Sequence, residues 1–421
     1  MPYVFFQTFG CQMNVADSNE IGTMFFRSGY LPTEDPSQAD VIIVNTCSVR
    51  EHAEKRAKVR IGEYGRLKKK GAELWVVGCM AERLGGRLKK EITGVTKVIG
   101  ARSFDRIESI VSSLNKNQHT DIQPITEKND ISDFVSIMRG CNNYCAYCIV
   151  PYVRGPEASI PVTEIIDSIN RKVDKGVKEI TLLGQNVNSY LDNGIDFPDL
   201  LHKVAEIDGL VRIRFTTSHP KDCSEKLIRT IAEEPKCCHH IHLPFQAGAD
   251  RILALMNRNY SAAEYRDRIT MIRSYLPAAD ITTDILVGFP SETDEEFEAT
   301  MSLTRTIRFT TAFMFAYSLR EGTAAAQMAD TVSHEIKQQR LRRLIDLQTD
   351  ITKEIYADIV EKNVTLLVGD RQQKRDRMFL ARDNGCKRAL IACNNVKAGT
   401  IFEARVVRTS GMTLICERTV P

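Results

Sequence analysis

The sequence contains no run of about 18 apolar residues, the length at which a membrane-spanning helix becomes plausible. Its first residues, MPYVFFQTFGCQ, lack the basic start and small-residue cleavage site of a secretion signal. Its composition also lacks extremes, since 43% of the 421 residues are hydrophobic and 26% are charged. We therefore expect a cytoplasmic protein of about two to four domains with no membrane partner.

Twelve cysteines in a chain without secretion signals indicate metal binding in a reducing compartment rather than disulfides. The net charge is only +3, but it is unevenly distributed. Residues 363–421 contain eleven Lys and Arg against five Asp and Glu. Such a basic segment suits a partner with a phosphate backbone, although a solvated face explains it equally well.

The segment RGCNNYCAYCIVPYVRGPE contains Cys141, Cys145 and Cys148 at C-x3-C-x2-C spacing. Thiolates are the usual ligands of iron–sulfur clusters, and three of them leave one iron of a [4Fe-4S] cluster open. A structural zinc site is the alternative, but it would need a fourth ligand nearby. The spacing, with Tyr147 before the last cysteine, resembles the radical S-adenosylmethionine (SAM) superfamily. That resemblance implies that SAM binds the open iron and is split to a 5′-deoxyadenosyl radical.

Three apolar runs in the first 115 residues, YVFFQTFG, VIIVNT and LWVVG, are followed by Cys11, Cys47 and Cys79. Helical stretches separate the runs, so the pattern predicts a parallel sheet with covering helices. Ligands of such sheets gather at the carboxyl ends of the strands, where all three cysteines fall. We therefore expect a second cluster there, the alternative being three buried cysteines that serve only packing.

The strings TFGCQMNVADSNEI, NTCSVREHAEKR and VVGCMAERL resemble the N-terminal domain of the methylthiotransferases, and within them the tRNA-modifying MiaB group. The resemblance implies that Cys11, Cys47 and Cys79 hold an auxiliary [4Fe-4S] cluster. It also implies a transferase that adds a methylthio group to C2 of N6-isopentenyladenosine at position 37 of tRNA. Two SAM molecules per turnover, an external flavodoxin- or ferredoxin-like electron donor and a monomer belong to the same expectation.

The predicted fold is α/β in three domains: residues 1–116 with the parallel sheet, 134–362 as a partial (β/α)6 barrel, and 363–421 as a small antiparallel β-barrel. Residues 117–133 are polar and aperiodic and are predicted to be a linker. Six strand-like runs separated by amphipathic segments predict the central barrel. The last domain resembles the RNA-binding TRAM domain.

Polar and glycine residues at the ends of the barrel strands are candidates for SAM and substrate contacts. With Tyr147 of the cysteine motif, the candidates for cofactor binding are Tyr147, Gln185, Ser218, Gln246, Asp284 and Gly288. Asn186 and His219 lie at the same strand ends. The segment CCHHIH at residues 237–242 invites a metal interpretation, but strand alternation would place His240 and His242 on one face and His239 on the other. We do not predict a metal site there.

The chain departs from the family pattern beside the cysteine motif, where Pro156, Ala158 and Ile160 stand at positions that are usually basic, and at Ala247, where serine is usual. Lost positive charges could weaken phosphate contacts without affecting cluster ligands. Two alternatives remain open. One is the same reaction on threonylcarbamoyl-adenosine of tRNA or on an aspartate of a small-subunit ribosomal protein. The other is a non-catalytic iron–sulfur protein that binds RNA or acts as a sensor.

Overall fold

The computed structural model describes residues 1–49, 51–114, 131–373, 378–392 and 396–419. These residues form an N-terminal α/β unit, a central partial barrel and a C-terminal closed barrel. No helix among them is both long enough and apolar enough to cross a membrane. Most of the predicted linker, residues 117–130, lies outside the described residues, and its last residues already lead into a strand that begins at Ser132.

The N-terminal unit is a five-stranded parallel sheet in the order β2-β1-β3-β4-β5. Its elements are β1 Tyr3–Thr8, α1 Gln12–Arg27, β2 Leu31–Pro32, β3 Val41–Thr46, α2 Glu51–Leu67, β4 Glu73–Gly78, α3 Cys79–Leu84, α4 Arg87–Glu91, β5 Lys97–Gly100 and α5 Asp105–Leu114. All six residues of β3 are buried, because helices cover both faces of the sheet. The predicted βαβα arrangement is confirmed.

The central unit has six principal parallel strands, as predicted, in the orders β6-β9-β12 and β13-β14-β15. A parallel bridge between Ile213 and Cys237 connects the two halves. The elements are β6 Ser132–Ser136, β7 Met138–Arg139, α6 Val150–Arg154, β8 Ala158–Ser159, α7 Val162–Val173, β9 Glu179–Leu183, β10 Leu191–Asp192, β11 Ile195–Asp196, α8 Phe197–Ala205, β12 Arg212–Thr216, α9 Glu225–Glu233, β13 His240–His242, α10 Asp250–Leu255, α11 Ala262–Tyr275, β14 Asp280–Val287, α12 Asp294–Ile307, β15 Thr311–Ala316 and α13 His334–Asp358.

The C-terminal unit is a closed five-stranded barrel in the order β16-β17-β18-β20-β19. Its strands are β16 Asn363–Gln373, β17 Met378–Arg382, β18 Arg388–Ala392, β19 Ile401–Ser410 and β20 Thr413–Arg418. The sequence predicts this barrel from four strand-like runs, NVTLLVG, RALIAC, TIFEARVVRT and MTLICER, which do not include β17. It also predicts antiparallel pairing throughout, whereas β18 and β20 run parallel. The parallel pair closes the barrel, which removes the exposed strand edges.

The C-terminal barrel docks against the amino-terminal ends of the central strands through a group of buried charges. We call this group the basal ion cluster: Glu179, Arg212, Arg214, Asp280, Asp383 and Lys387. The Arg214 Nε donates to Glu179 Oε2 at 2.8 Å, and the Lys387 ammonium lies between Asp280 and Asp383. Arg212 donates to the carbonyls of Arg382 and Thr365, both at 2.8 Å. The cluster therefore lies at the end of the strands opposite to the cysteine motif.

Candidate active site

Cys11, Cys47 and Cys79 lie where β1, β3 and β4 of the N-terminal sheet end, as the sequence predicts. Two glycines let these ends approach one another. A Cβ on Gly10 would lie 2.7 Å from the Cβ of Cys47, and a Cβ on Gly78 would lie 2.6 Å from the Thr46 carbonyl oxygen. Both glycines have a positive φ, +125° and +97°, a backbone conformation that residues with a side chain rarely adopt. The backbone is therefore shaped to bring the three cysteine loops together.

Two buried asparagines hold the first two loops in register. Asn14 Nδ2 donates to Asn45 Oδ1 at 3.1 Å and to the Thr46 carbonyl at 3.0 Å, and Asn45 Nδ2 donates back to the Asn14 carbonyl at 2.9 Å. The Cys11 thiol donates to Asn14 Oδ1 at 3.3 Å. Because all of these groups except Cys11 are buried, the reciprocal bonds fix the relative position of the strand ends.

The three sulfurs are close enough to influence one another electrostatically. Burial raises the pKa of Cys79 to about 11; Cys47 and Cys11 add to the rise, whereas the hydrogen-bonded Arg154 guanidinium opposes it. Arg154 is itself buried and comes from α6 of the central unit, directly after the other cysteine motif. Cys79 and Arg154, which are 75 positions apart in the sequence, are thus brought together, and the guanidinium places positive charge beside the thiol.

One carboxylate connects the two cysteine regions. Asp17, fully buried on α1, accepts from Arg154 and from Arg139 at 2.8 Å each. Arg139 precedes the C-x3-C-x2-C motif and also pairs with Glu20 at 2.6 Å. Apolar packing follows the same route, because Ile149 and Val153 belong to the core of the N-terminal unit. The segment from Cys148 to Gly155 therefore serves both units.

Cys141, Cys145 and Cys148 lie in the loop that follows the first strand of the central unit, as predicted. Burial raises the pKa of Cys148 to about 12, and Cys145 and Cys141 add to the rise, so the three thiols are close enough to interact electrostatically. The loop is braced by its backbone: Cys148 N donates to the Cys145 carbonyl at 2.9 Å, and Cys141 N donates to the Gly155 carbonyl at 3.1 Å.

Arg258 is a residue that the sequence did not point to, since the string NRNY carries no motif. Its guanidinium is buried and donates to Cys145 Sγ at 3.3 Å and to the Pro244 carbonyl at 3.0 Å. Tyr260 receives a further bond from Arg258 Nε at 3.1 Å. Each cysteine triad thus has one buried arginine close enough to place positive charge beside one of its thiols.

Within the described parts of the chain, no group of three or more His, Cys, Asp or Glu side chains is arranged to hold a metal ion. A [4Fe-4S] cluster is a larger body than one ion, and its thiolates bind separate irons. The finding therefore bears on the zinc alternative, and the six ligands of two clusters remain a prediction.

Unpartnered polar atoms gather at the carboxyl ends of β9 and β12. Gln185 Oε1, Asn186 Oδ1, Ser218 Oγ and His219 Nε2 are buried and have no hydrogen-bond partner among the described residues. Burial lowers the pKa of His219 to about 2, with the nearby Arg258 charge acting in the same direction, so the ring is neutral. Since His219 Nδ1 accepts from Lys221 N at 3.3 Å, the proton is assigned to Nε2, which is then a free donor. Buried polar atoms without partners suit a polar ligand such as SAM.

Gln246 and Gly288 follow strand ends as predicted, whereas Asp284 lies inside β14, three residues before that strand ends. Tyr147 packs against the central core, and burial raises its pKa. Gln246 has φ +68° and bridges to Ile285, and Asp284 Oδ2 lies 3.6 Å from His242 Nε2. The N–H of Gly288 donates to Glu292 Oε2 at 2.7 Å, so this glycine makes the turn after β14. None of these placements tests SAM contact directly.

The histidines at the start of β13 adopt the predicted alternation. His240 Nε2 and His242 Nδ1 both lie within hydrogen-bond distance of Thr282 Oγ1, at 2.8 and 3.0 Å. Both rings therefore lie on one face of β13, the face that also includes Asp284 of β14.

A six-stranded parallel barrel with a three-cysteine loop after its first strand defines the class of radical SAM proteins, and the comparisons agree. Residues 135–304 match the Radical SAM superfamily, and residues 3–100 match Uncharacterized protein family UPF0004. The structure resembles the radical SAM methyltransferase TsrM of Kitasatospora setae (TM-score 0.58, 12% identity, 77% of this chain and 74% of that one). It also resembles the cobalamin-dependent radical SAM enzyme OxsB (TM-score 0.51, 9% identity, 84% and 56%).

Curated relatives are more informative. The chain is 41% identical to the tRNA-2-methylthio-N(6)-dimethylallyladenosine synthase of Geobacter sulfurreducens over 99% of this chain and 97% of that protein. It is 45% identical to the protein of the same name from Syntrophus aciditrophicus over 87% and 83%. The chain therefore belongs to the family of tRNA-2-methylthio-N(6)-dimethylallyladenosine synthases within the radical SAM superfamily.

Proposed function

We propose that this protein is a transferase that adds a methylthio group to C2 of N6-isopentenyladenosine in tRNA, the isopentenyl group being the dimethylallyl of the relatives' name. The observation that carries the proposal is the presence of a cysteine triad after the strand ends of each unit, with Arg154 of the central unit bonded to Asp17 and close to Cys79 of the N-terminal unit. Cys141, Cys145 and Cys148 would hold the cluster that binds SAM, and Cys11, Cys47 and Cys79 would hold the auxiliary cluster.

When bound, the clusters and SAM supply a carbon radical that can take the hydrogen of C2 and a sulfur that becomes methylated. No side-chain base could perform the first step, because that hydrogen is not acidic. The chain's own residues then act as ligands and positioners. Arg154 and Arg258 place positive charge beside one thiolate of each triad. Gln185, Ser218 and His219 supply unpartnered polar atoms for the bound cofactor.

The C-terminal barrel would bind the RNA, because its basic composition suits a phosphate backbone and small barrels of this kind bind nucleic acid. The target base must leave its stack, since C2 is otherwise unreachable. The proposal also includes domain boundaries at residues 116, 133 and 362, two SAM molecules per turnover, an external electron donor, a monomeric state and a cytoplasmic location.

Anaerobic reconstitution followed by iron and sulfide analysis tests the two-cluster part. We expect about eight irons per chain, and about four after the combined substitutions Cys11→Ala, Cys47→Ala and Cys79→Ala. Cys223→Ala is the matched control, because Cys223 is a buried cysteine outside both triads, and it should keep the full iron content. An unchanged iron content in the triple variant would contradict the assignment.

Nucleoside analysis of tRNA from a deletion strain tests the substrate. Loss of the 2-methylthio group from isopentenylated adenosine, restored by the wild-type gene, is the expected result. Its persistence would reject the proposed substrate and turn attention to the threonylcarbamoyl or ribosomal-protein targets.

A further inference from the structure

Two phenylalanines of β15 are exposed in a unit whose other large aromatic residues are mostly buried. Phe313 is 53% exposed and Phe315 is 37% exposed, whereas Phe245, Phe289 and Phe309 are fully buried. The neighbours of Phe313, Ala312 and Met314, pack against the central core. Because side chains alternate along a strand, the two phenylalanines share the face that the helices do not cover.

The strand register places that face inside the partial barrel. Phe313 is opposite Asp284 of β14, and Phe315 is opposite Leu286, one residue before both strands end. The Phe313 ring also meets the His242 ring edge to face, with centroids 6.0 Å apart. Phe315 therefore lies near the carboxyl end of the barrel interior and Phe313 two residues deeper, both on the same face as the Asp284 carboxylate.

We propose that Phe313 and Phe315 form the apolar wall that receives the dimethylallyl group on N6 of the target adenosine. This inference rests on the proposed function and identifies the residues that select its substrate. A branched five-carbon group has no polar atom to satisfy, so it gains from contact with exposed aromatic rings. Exposed aromatic surface inside a concave site is also costly unless a ligand covers it.

The charge on this face favours the same occupant. The carboxylate of Asp284 lies opposite Phe313 on this face, with His242 Nε2 3.6 Å from its Oδ2. A threonylcarbamoyl group carries a carboxylate of its own and would be repelled there, whereas a neutral dimethylallyl group would not. The wall and the carboxylate together would accept one modified adenosine and disfavour the other.

Equilibrium binding to two synthetic anticodon stem-loop RNAs tests the inference. The RNAs are identical except that one carries N6-dimethylallyladenosine and the other plain adenosine. Burial of a five-carbon group is sufficient for the reconstituted wild type to prefer the modified RNA on the order of tenfold or more. We expect the double variant Phe313→Ala with Phe315→Ala to bind both RNAs equally, and Phe313→Leu to retain most of the preference.

Leu191→Ala is the matched control, since Leu191 is 61% exposed on a different strand and should leave the preference unchanged. Thermal unfolding and cluster absorbance verify that each variant is folded and loaded. If the wild type prefers the modified RNA and the double variant keeps that preference, the wall is wrong and the proposed function stands. If the double variant binds both RNAs more weakly by the same factor, the residues are not selective and the inference also fails. If the wild type shows no preference, the proposed substrate itself is contradicted.

Discussion

Substituting Lys387 by methionine should weaken the docking of the C-terminal barrel on the central unit. The ammonium of Lys387 lies between the side chains of Asp280 and Asp383, which are 6% and 8% exposed. Methionine keeps the volume and removes the charge, so two carboxylates are left buried without their cation. Removing one partner of a buried ion pair typically costs about 3–5 kcal/mol.

The lower end of that range, about 3 kcal/mol, is the better value here. Asp280 keeps two hydrogen bonds after the substitution, from Thr310 Oγ1 and from the backbone N–H of Cys386, both at 2.9 Å. A loss of about 3 kcal/mol corresponds to a roughly hundredfold larger population of the undocked or unfolded state. Chemical denaturation and the rate of proteolysis at the junction between α13 and β16 both measure it.

Lys353→Met is the control, because Lys353 is 72% exposed and pairs only with the neighbouring Asp350, a surface contact of little value. Its free energy of unfolding should change by less than about 0.5 kcal/mol. Adding Asp280→Asn to Lys387→Met should recover part of the loss, since the unpaired charge disappears. If Lys387→Met behaved like Lys353→Met, the basal ion cluster would not be what fastens the two units.

The pH dependence of this docking has a definite sign. Burial works against the Asp280 carboxylate, but Lys387 more than offsets it, so the pKa of Asp280 is lowered from 3.8. Its contribution is therefore complete above the unfolded pKa and is lost as the pH falls through the lower, folded pKa. The pKa of Lys387 is raised from 10.5, because Asp280 and Asp383 outweigh burial. That contribution is complete below 10.5 and disappears as the pH rises through the folded value. Burial raises the pKa of Asp383, so the contribution of this carboxyl is lost as the pH rises through its folded value. Asp280 and Lys387 thus stabilise docking at neutral pH, and Asp383 acts in the opposite direction.

Three further predictions concern the active site. Asp17→Asn leaves Arg154 buried without its carboxylate and should lower stability by about 3 kcal/mol, measured by denaturation, and reduce iron loading of the N-terminal triad, measured by iron analysis. Arg258→Met removes a cation and a hydrogen bond from Cys145, so the midpoint potential of the SAM-binding cluster should become more negative in an EPR-monitored titration; an unchanged potential would refute the role. The pKa of His219 is about 2, so its ring stays neutral between pH 6 and 8. Titration of His219 should therefore not change the affinity for SAM over that range, as measured by calorimetry. The substitution His219→Phe should weaken SAM binding about tenfold.

The positions of the six cysteines could be read from the sequence because strand patterns are local. Each apolar run predicts a strand, and parallel strands place their carboxyl ends at one edge, so the sequence predicts that Cys11, Cys47 and Cys79 lie at the same edge of the sheet. The same logic placed the other triad after the first barrel strand.

The partners of those cysteines could not be read in this way. Asp17 and Arg154 are 137 residues apart, and neither stands in a pattern that demands an ion pair. Arg258 reaches Cys145 because the loop after α10 packs against the motif, where Asn257 Nδ2 donates to the carbonyls of Asn143 and Tyr144. Such pairs depend on tertiary packing, which local propensity does not encode.

The exposure of Phe313 and Phe315 and the strand β17 could not be predicted from the sequence, for opposite reasons. AFMFAYS has the composition of a buried strand, but Phe313 and Phe315 lie on the interior face of the partial barrel, which the helices do not cover. The residues of β17, Met378–Arg382, follow a charged stretch that hides their strand character. The parallel pairing of β18 with β20 requires a crossover that no turn signal marks.

Shortening the chain would disturb the segment from Ile149 to Arg154. Cutting the protein at the predicted linker would strip Ile149 and Val153 of the apolar surface they share with the first sheet, and would leave the Arg154 guanidinium facing no carboxylate. A fragment without the first domain would therefore expose apolar surface and tend to misfold next to the loop of Cys141, Cys145 and Cys148. A chimera that combines domains of two relatives should fold only when α1 and α6 come from the same parent protein.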